Sequence, residues 1–120
     1  MPKVLVIDDD PGSARSLASA LGAAGFDALT VVDGAAALEA LDRGHVDAVI
    51  VDLMLRGMNG IELARHVSER FPAVRVVLTS TYHLSERQLV RSNCGAVGFV
   101  PKPYVMDELT GFLRAKLAQA

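Results

Sequence analysis

The chain has 120 residues, with 12 Lys and Arg against 14 Asp and Glu, a formal net charge of −2. That length suits one domain of the ordinary ~100–150 residues, and the charge argues against a broadly basic surface that would displace counterions from nucleic acid. The one cysteine, Cys94, excludes an intramolecular disulfide, and no CxxC or CxxH spacing offers a metal knuckle. No apolar run approaches the ~20 residues that span a bilayer. Met1-Pro2-Lys3 leads at once into a four-residue apolar run, without the long apolar stretch of a secretory signal. The expectation is a small cytoplasmic protein in which residues 1–120 form a single domain, with no membrane partner and no direct contact to nucleic acid.

Val4–Ile7 is short and rich in β-branched residues, which predicts a strand. Asp8, Asp9 and Asp10 follow, then Pro11, which suits a first helical turn. Behind it Ala14, Leu17, Ala18 and Leu21 repeat at i, i+3, i+4 and i+7, the stripe of an amphipathic helix. Ala28–Val32 predicts a second strand, Asp33-Gly34 a cap or turn, and Leu38 with Leu41 a short helix. Ala48–Val51 predicts a third strand, closed by Asp52, and Asn59-Gly60 precedes a helix marked by Ile61, Ala64, Val67 and Phe71. Val74–Leu78 predicts a fourth strand, followed by Thr79, Ser80 and Thr81. The stretch Leu84–Ser92 is more polar and carries a weaker helical signal. Val97–Val100 predicts a fifth strand with Pro101, Lys102 and Pro103 behind it, and Leu109, Phe112, Leu113 and Leu117 mark the last helix. Gly22, Gly25, Gly44 and Gly95 fall near helix ends, where a left-handed residue is often needed. Cys94 reads as a small buried residue, and His45, His66 and His83 as scattered surface residues.

Strand and helix thus alternate five times. That order implies an α/β fold, a parallel sheet with helices on both faces and right-handed crossovers. In such open sheets ligands bind beyond the carboxyl ends of the strands. The residues standing there are Asp8, Asp9 and Asp10, then Asp52, then Thr79, Ser80 and Thr81, then Lys102. Two carboxylates about 4 Å apart repel by roughly 4 kcal/mol at an effective dielectric near 20. A gathered Asp8, Asp9 and Asp52 therefore needs a cation, and a hard divalent ion with oxygen ligands is the natural one. A carboxylate nucleophile with Mg²⁺, an ammonium and a hydroxyl is equipment for phosphoryl transfer onto Asp.

These residues carry a resemblance. Val4-Leu-Val-Ile-Asp-Asp-Asp-Pro11, Val51-Asp-Leu-Met-Leu-Arg-Gly-Met-Asn-Gly60, Leu78-Thr79 and Gly98-Phe-Val-Pro-Lys-Pro103 are similar to the motifs of a bacterial two-component response-regulator receiver domain, in that family's order and over nearly the whole chain. The resemblance implies a flavodoxin-like (βα)5 sandwich with strand order 2-1-3-4-5. It implies Asp52 as phosphoacceptor, and Asp8, Asp9, Asp52 and the Met54 backbone carbonyl as the Mg²⁺ site, with Mn²⁺ or Ca²⁺ as possible substitutes. It implies Thr79 and Lys102 on the phosphoryl oxygens, Thr79 and Phe99 as switch residues, and a cis Lys102–Pro103 bond. Met54 and Thr81 match positions that tune dephosphorylation through water access. The implied partners are a histidine kinase or histidine phosphotransfer protein and an output domain or effector. A homodimer would form through the fourth helix, fifth strand and fifth helix. The implied role is that of a signalling phosphoacceptor, not a turnover enzyme.

Two departures stand out. Arg56 replaces a proline usual in the loop after Asp52, which frees that backbone and adds a cation. Phe99 lacks the hydroxyl of the tyrosine often found there. The rival reading is a haloacid-dehalogenase-like phosphatase with Asp8 as nucleophile and Asp10 as general acid. It leaves Asp52 unexplained and lacks a late acidic pair. A flavodoxin-like mononucleotide binder would need a Gly/Ser/Thr phosphate loop where the carboxylates stand.

Overall fold

The computed structural model describes residues 1–55, 57–82 and 84–118; Arg56 and His83 lie outside the described residues. Five parallel strands form the sheet: β1 Lys3–Ile7, β2 Asp27–Val31, β3 Ala48–Asp52, β6 Arg75–Ser80 and β7 Gly98–Pro101. Between β3 and β6 sit two further strands, β4 Met54–Leu55 and β5 Met58–Asn59, paired antiparallel as a small hairpin. The helices are α1 Pro11–Ala23, α2 Gly34–Arg43, α3 Gly60–Arg70, α4 Glu86–Ser92 and α5 Met106–Leu117. The sheet order is β2-β1-β3-β6-β7, which is the expected 2-1-3-4-5 once the hairpin is set aside.

The pleat sorts the core into two layers. Leu5, Ile7, Val49, Val51, Val76 and Leu78 pack with residues of α2 and α3 on one face. Val4, Val6, Ile50, Val77 and Val100 pack with residues of α1 and α5 on the other. β3 is buried at every position, as befits a strand covered on both faces. β2 lies at the edge and is only part-buried.

Helix starts follow the caps read from the sequence. Asp10, Asp33 and Asn59 each accept hydrogen bonds at the N-terminus of the helix they precede. Ser85 and Gln88 build a capping box at α4 that the sequence reading missed. That helix buries no residue fully, which accounts for its polar pattern. Gly25 and Gly95 adopt positive φ of 97° and 79°. Gly22 lies inside α1, Gly44 is extended, and Asn93 rather than a glycine ends α4 in the left-handed region. The Lys102–Pro103 bond is cis, as the resemblance implies.

Candidate functional site

Four polar residues stand two positions beyond an apolar residue of the α1–α5 layer on their own strand: Asp8 beyond Val6, Asp52 beyond Ile50, Thr79 beyond Val77 and Lys102 beyond Val100. Strand alternation therefore turns all four to one side of the sheet's carboxyl edge. Asp8, Asp52 and Thr79 are buried; Lys102 is part-buried.

Lys102 joins the two acids. Its ammonium lies 3.0 Å from Asp8 Oδ2 and 2.9 Å from Asp52 Oδ2. The other oxygen of each acid accepts a backbone N–H two residues on: Asp10 donates to Asp8 Oδ1 at 3.0 Å, and Met54 donates to Asp52 Oδ1 at 2.9 Å. Burial acts to lower the Lys102 pKa, but the hydrogen bonds to Asp52 and Asp8 outweigh it and hold the group above its ordinary value. Lys102 stays charged across the neutral range. For Asp8 and Asp52 the ammonium supplies one of the cations that such a pair of acids calls for.

The backbone fixes these groups from several sides. Leu53 N–H donates to Thr79 C=O at 2.9 Å, and Lys102 N–H donates to Ser80 C=O at 2.9 Å, tying the ends of β3, β6 and β7 together. Gly60, first residue of α3, donates to Leu53 C=O at 3.1 Å and lies so close to the Asp52 backbone that a Cβ there would collide with its carbonyl.

Asp9 is half-buried beside Asp8 on the chain. Among the described residues no three acids, histidines or cysteines gather closely enough to hold a metal. The donors present still fit Mg²⁺, which binds through one or two carboxylates, waters and a phosphate rather than an all-protein cage. Met54, the other expected ligand, directs its N–H to Asp52, and its side chain is exposed, as is Thr81. Asp10 points elsewhere: its carboxylate accepts from Gly12 and Ser13 N–H and caps α1.

Thr79 is not turned to the acids. Its hydroxyl donates to Val100 C=O at 2.7 Å. Phe99, the neighbour of Val100, lies part-buried in the opposite layer with Leu84 and Leu89. One residue was missed by the sequence reading. Tyr104 lies within electrostatic reach of Lys102, Asp8 and Asp52, and burial pushes its pKa above the ordinary 10.0. Only its place two residues after Lys102 could have signalled this.

A family model described as the response regulator receiver domain matches residues 4–114. This chain belongs to that family. The sensory transduction protein RegX3 of Mycobacterium tuberculosis is 37% identical over 117 residues, covering 98% of this chain and 51% of its own length. The DNA-binding response regulator MtrA of Mycolicibacterium smegmatis is 36% identical over 115 residues, 96% of this chain and 50% of its own. The receiver domain thus spans about half the length of these relatives. Among solved structures it is similar to the response regulator TrrA of Thermotoga maritima in complex with Mg²⁺ and BeF. That match has a TM-score of 0.85 and 29% identity, and covers 98% of this chain and 99% of that one. The Francisella response regulator 1452 receiver domain gives a TM-score of 0.86 at 26% identity, covering 98% and 97%. None of these comparisons points to a haloacid-dehalogenase phosphatase.

Proposed function

We propose that Asp52 accepts a phosphoryl group from a phosphohistidine of a histidine kinase or phosphotransfer protein. The observation that carries this reading is the Lys102 ammonium fixed 2.9 Å from Asp52 Oδ2 on a buried carboxylate at the sheet's carboxyl edge. An Asp52 oxygen forms the new P–O bond as the P–N bond breaks, and the electron pair returns to the imidazole nitrogen. Lys102 follows the charge that moves onto the phosphoryl oxygens. Asp8, Asp9, Asp52 and the Met54 carbonyl would hold Mg²⁺, which supplies further charge neutralisation when bound. With exposed Met54 and Thr81 beside it, the site stays open to the water that ends the signal. The chain is then a stoichiometric phosphoacceptor acting in the cytoplasm as one domain, not a turnover enzyme.

Output follows from the far edge of the sheet. Phe99 lines an open cleft of about 330 Å³ with Leu84, Leu89 and Phe112, between α4, β7 and α5. Thr79 holds the carbonyl of the residue next to Phe99. Drawing Thr79 onto a phosphoryl group frees that carbonyl and shifts an existing equilibrium of this face. An output domain, an effector or a second copy of the chain would read the change there.

The test is mass spectrometry after acetyl phosphate and Mg²⁺, with the modified residue mapped. One phosphoryl group per chain on Asp52, lost in Asp52→Asn, is the expected result. Undiminished labelling of Asp52→Asn would overturn the assignment.

A further inference from the structure

The two ends of α4 are held differently. At the N-terminal end Ser85 and Gln88 satisfy each other: Gln88 N–H donates to Ser85 Oγ at 3.1 Å, and Ser85 N–H donates to the Gln88 side-chain carbonyl at 2.9 Å. At the C-terminal end α3 takes hold. The Arg65 guanidinium donates to Ser92 C=O at 2.7 Å, and Ser68 Oγ donates to Cys94 C=O at 2.9 Å. Arg65 and Ser68 are three residues apart, so they share one face of α3. Ser92 is the last residue of α4. Its carbonyl is one of those that a helix leaves without an intrahelical partner, at the partly negative end of the helix dipole. A cation there makes a charge-assisted bond. Just beyond, Asn93 turns left-handed, Cys94 is buried in the α2–α3 layer, and a Cβ on Gly95 would collide with the Ser68 side chain.

The open space lies at the opposite end. The cleft of about 330 Å³ beside Phe99 is lined by Leu84, Glu86 and Leu89 and, among the described residues, by none of residues 90–95. We propose that α4 turns on its C-terminal end: Arg65 is the positioning residue that pins Ser92 to α3, and the N-terminal end swings over the cleft when Asp52 is phosphorylated. The proposal rests on the phosphoacceptor reading of Asp52 and describes how its output face moves. The pin is referred to the acceptor itself, because α3 begins at Gly60 against the Asp52 backbone.

The experiment is NMR of the whole chain, following backbone amide shifts with and without beryllofluoride at saturating Mg²⁺. In wild type the shifts along α4 are expected to be largest at Ser85 and Glu86 and to fall away towards Ser92–Gly95. Arg65→Met keeps an apolar stem and loses the charged bond. Its amide exchange at Arg91, Ser92 and Asn93 is expected to rise about ten- to hundredfold, and its beryllofluoride shifts to spread evenly through α4. Arg65→Lys, which restores a cation to Ser92 C=O, is expected to recover most of the gradient. Labelling of Asp52 by acetyl phosphate is expected to stay within twofold of wild type in both variants. Even shifts along α4 in wild type overturn the pivot. A gradient unchanged in Arg65→Met, whatever its exchange rates, means that the arginine only stabilises the helix and overturns it as the pin. Should the wild-type chain take up no beryllofluoride, the phosphoacceptor reading falls first and the pivot with it.

Discussion

Lys102 neutralises two carboxylates that arrive from different strands, and the price of losing it can be read from its surroundings. Its folded pKa is raised above the ordinary 10.5, because two charge-assisted hydrogen bonds outweigh the effect of burial. The sign follows. The stabilisation is full below the unfolded value and is lost as pH climbs through the higher folded one. Tyr104, raised above 10.0 chiefly by burial, acts in the same direction. Stability is therefore expected to be level through neutral pH and to fall from about pH 10 upward. Lys102→Met leaves Asp8 and Asp52 facing each other. It is expected to lose about 1–3 kcal/mol at neutral pH and to show a shallower alkaline fall than wild type. Urea midpoints at neutral and alkaline pH check both. A variant with the wild-type midpoint at neutral pH would show that the ammonium is a bystander. Strand ends and polar residue types made Asp8, Asp52, Thr79 and Lys102 legible from the sequence. The direction of the Thr79 hydroxyl was not, because a rotamer is chosen by neighbours that only folding supplies.

At the scale of elements, the five strands were legible because each is a short β-branched run, and their limits moved by one or two residues. The hairpin of β4 and β5 was not, because two-residue strands are too short to show alternation. Gly60 shows how an element holds the site. It starts α3 against the Asp52 backbone, and a Cβ there would lie 2.6 Å from Leu53 Cα. Backbone cannot yield as a side-chain tip can. Gly60→Ala is expected to cost about 1–3 kcal/mol and to slow acetyl phosphate labelling by displacing Asp52. Gly22, inside α1 with nothing near its Cβ direction, is the control. Gly22→Ala is expected to gain up to about 1 kcal/mol from helix propensity and to label at the wild-type rate. Equal labelling by both variants would mean that α3 does not position the acceptor.

At the scale of the whole molecule, the site is a meeting of chain segments from residue 8 to residue 102. An unfolded chain does not bring them together, so a ligand that needs them all binds the native state alone. Its binding must then stabilise the fold, by about 2.7 kcal/mol at a free concentration 100 times its Kd. The overall charge sharpens the test. A chain with a net charge of only −2 has little long-range repulsion for salt to screen, so a shift specific to one ion reports a local site. Mg²⁺ is expected to raise the urea midpoint above that in NaCl of matched ionic strength, and chelation to reverse the gain. Mg²⁺ with beryllofluoride is expected to raise it further. Asp52→Asn should lose most of the second increment, since it removes the oxygen charge the beryllium would meet, while Lys102→Met should enlarge the first, since Mg²⁺ then replaces the ammonium that bridges Asp8 and Asp52. A midpoint indifferent to Mg²⁺ in wild type and Lys102→Met alike would mean that no divalent ion belongs to this edge of the sheet.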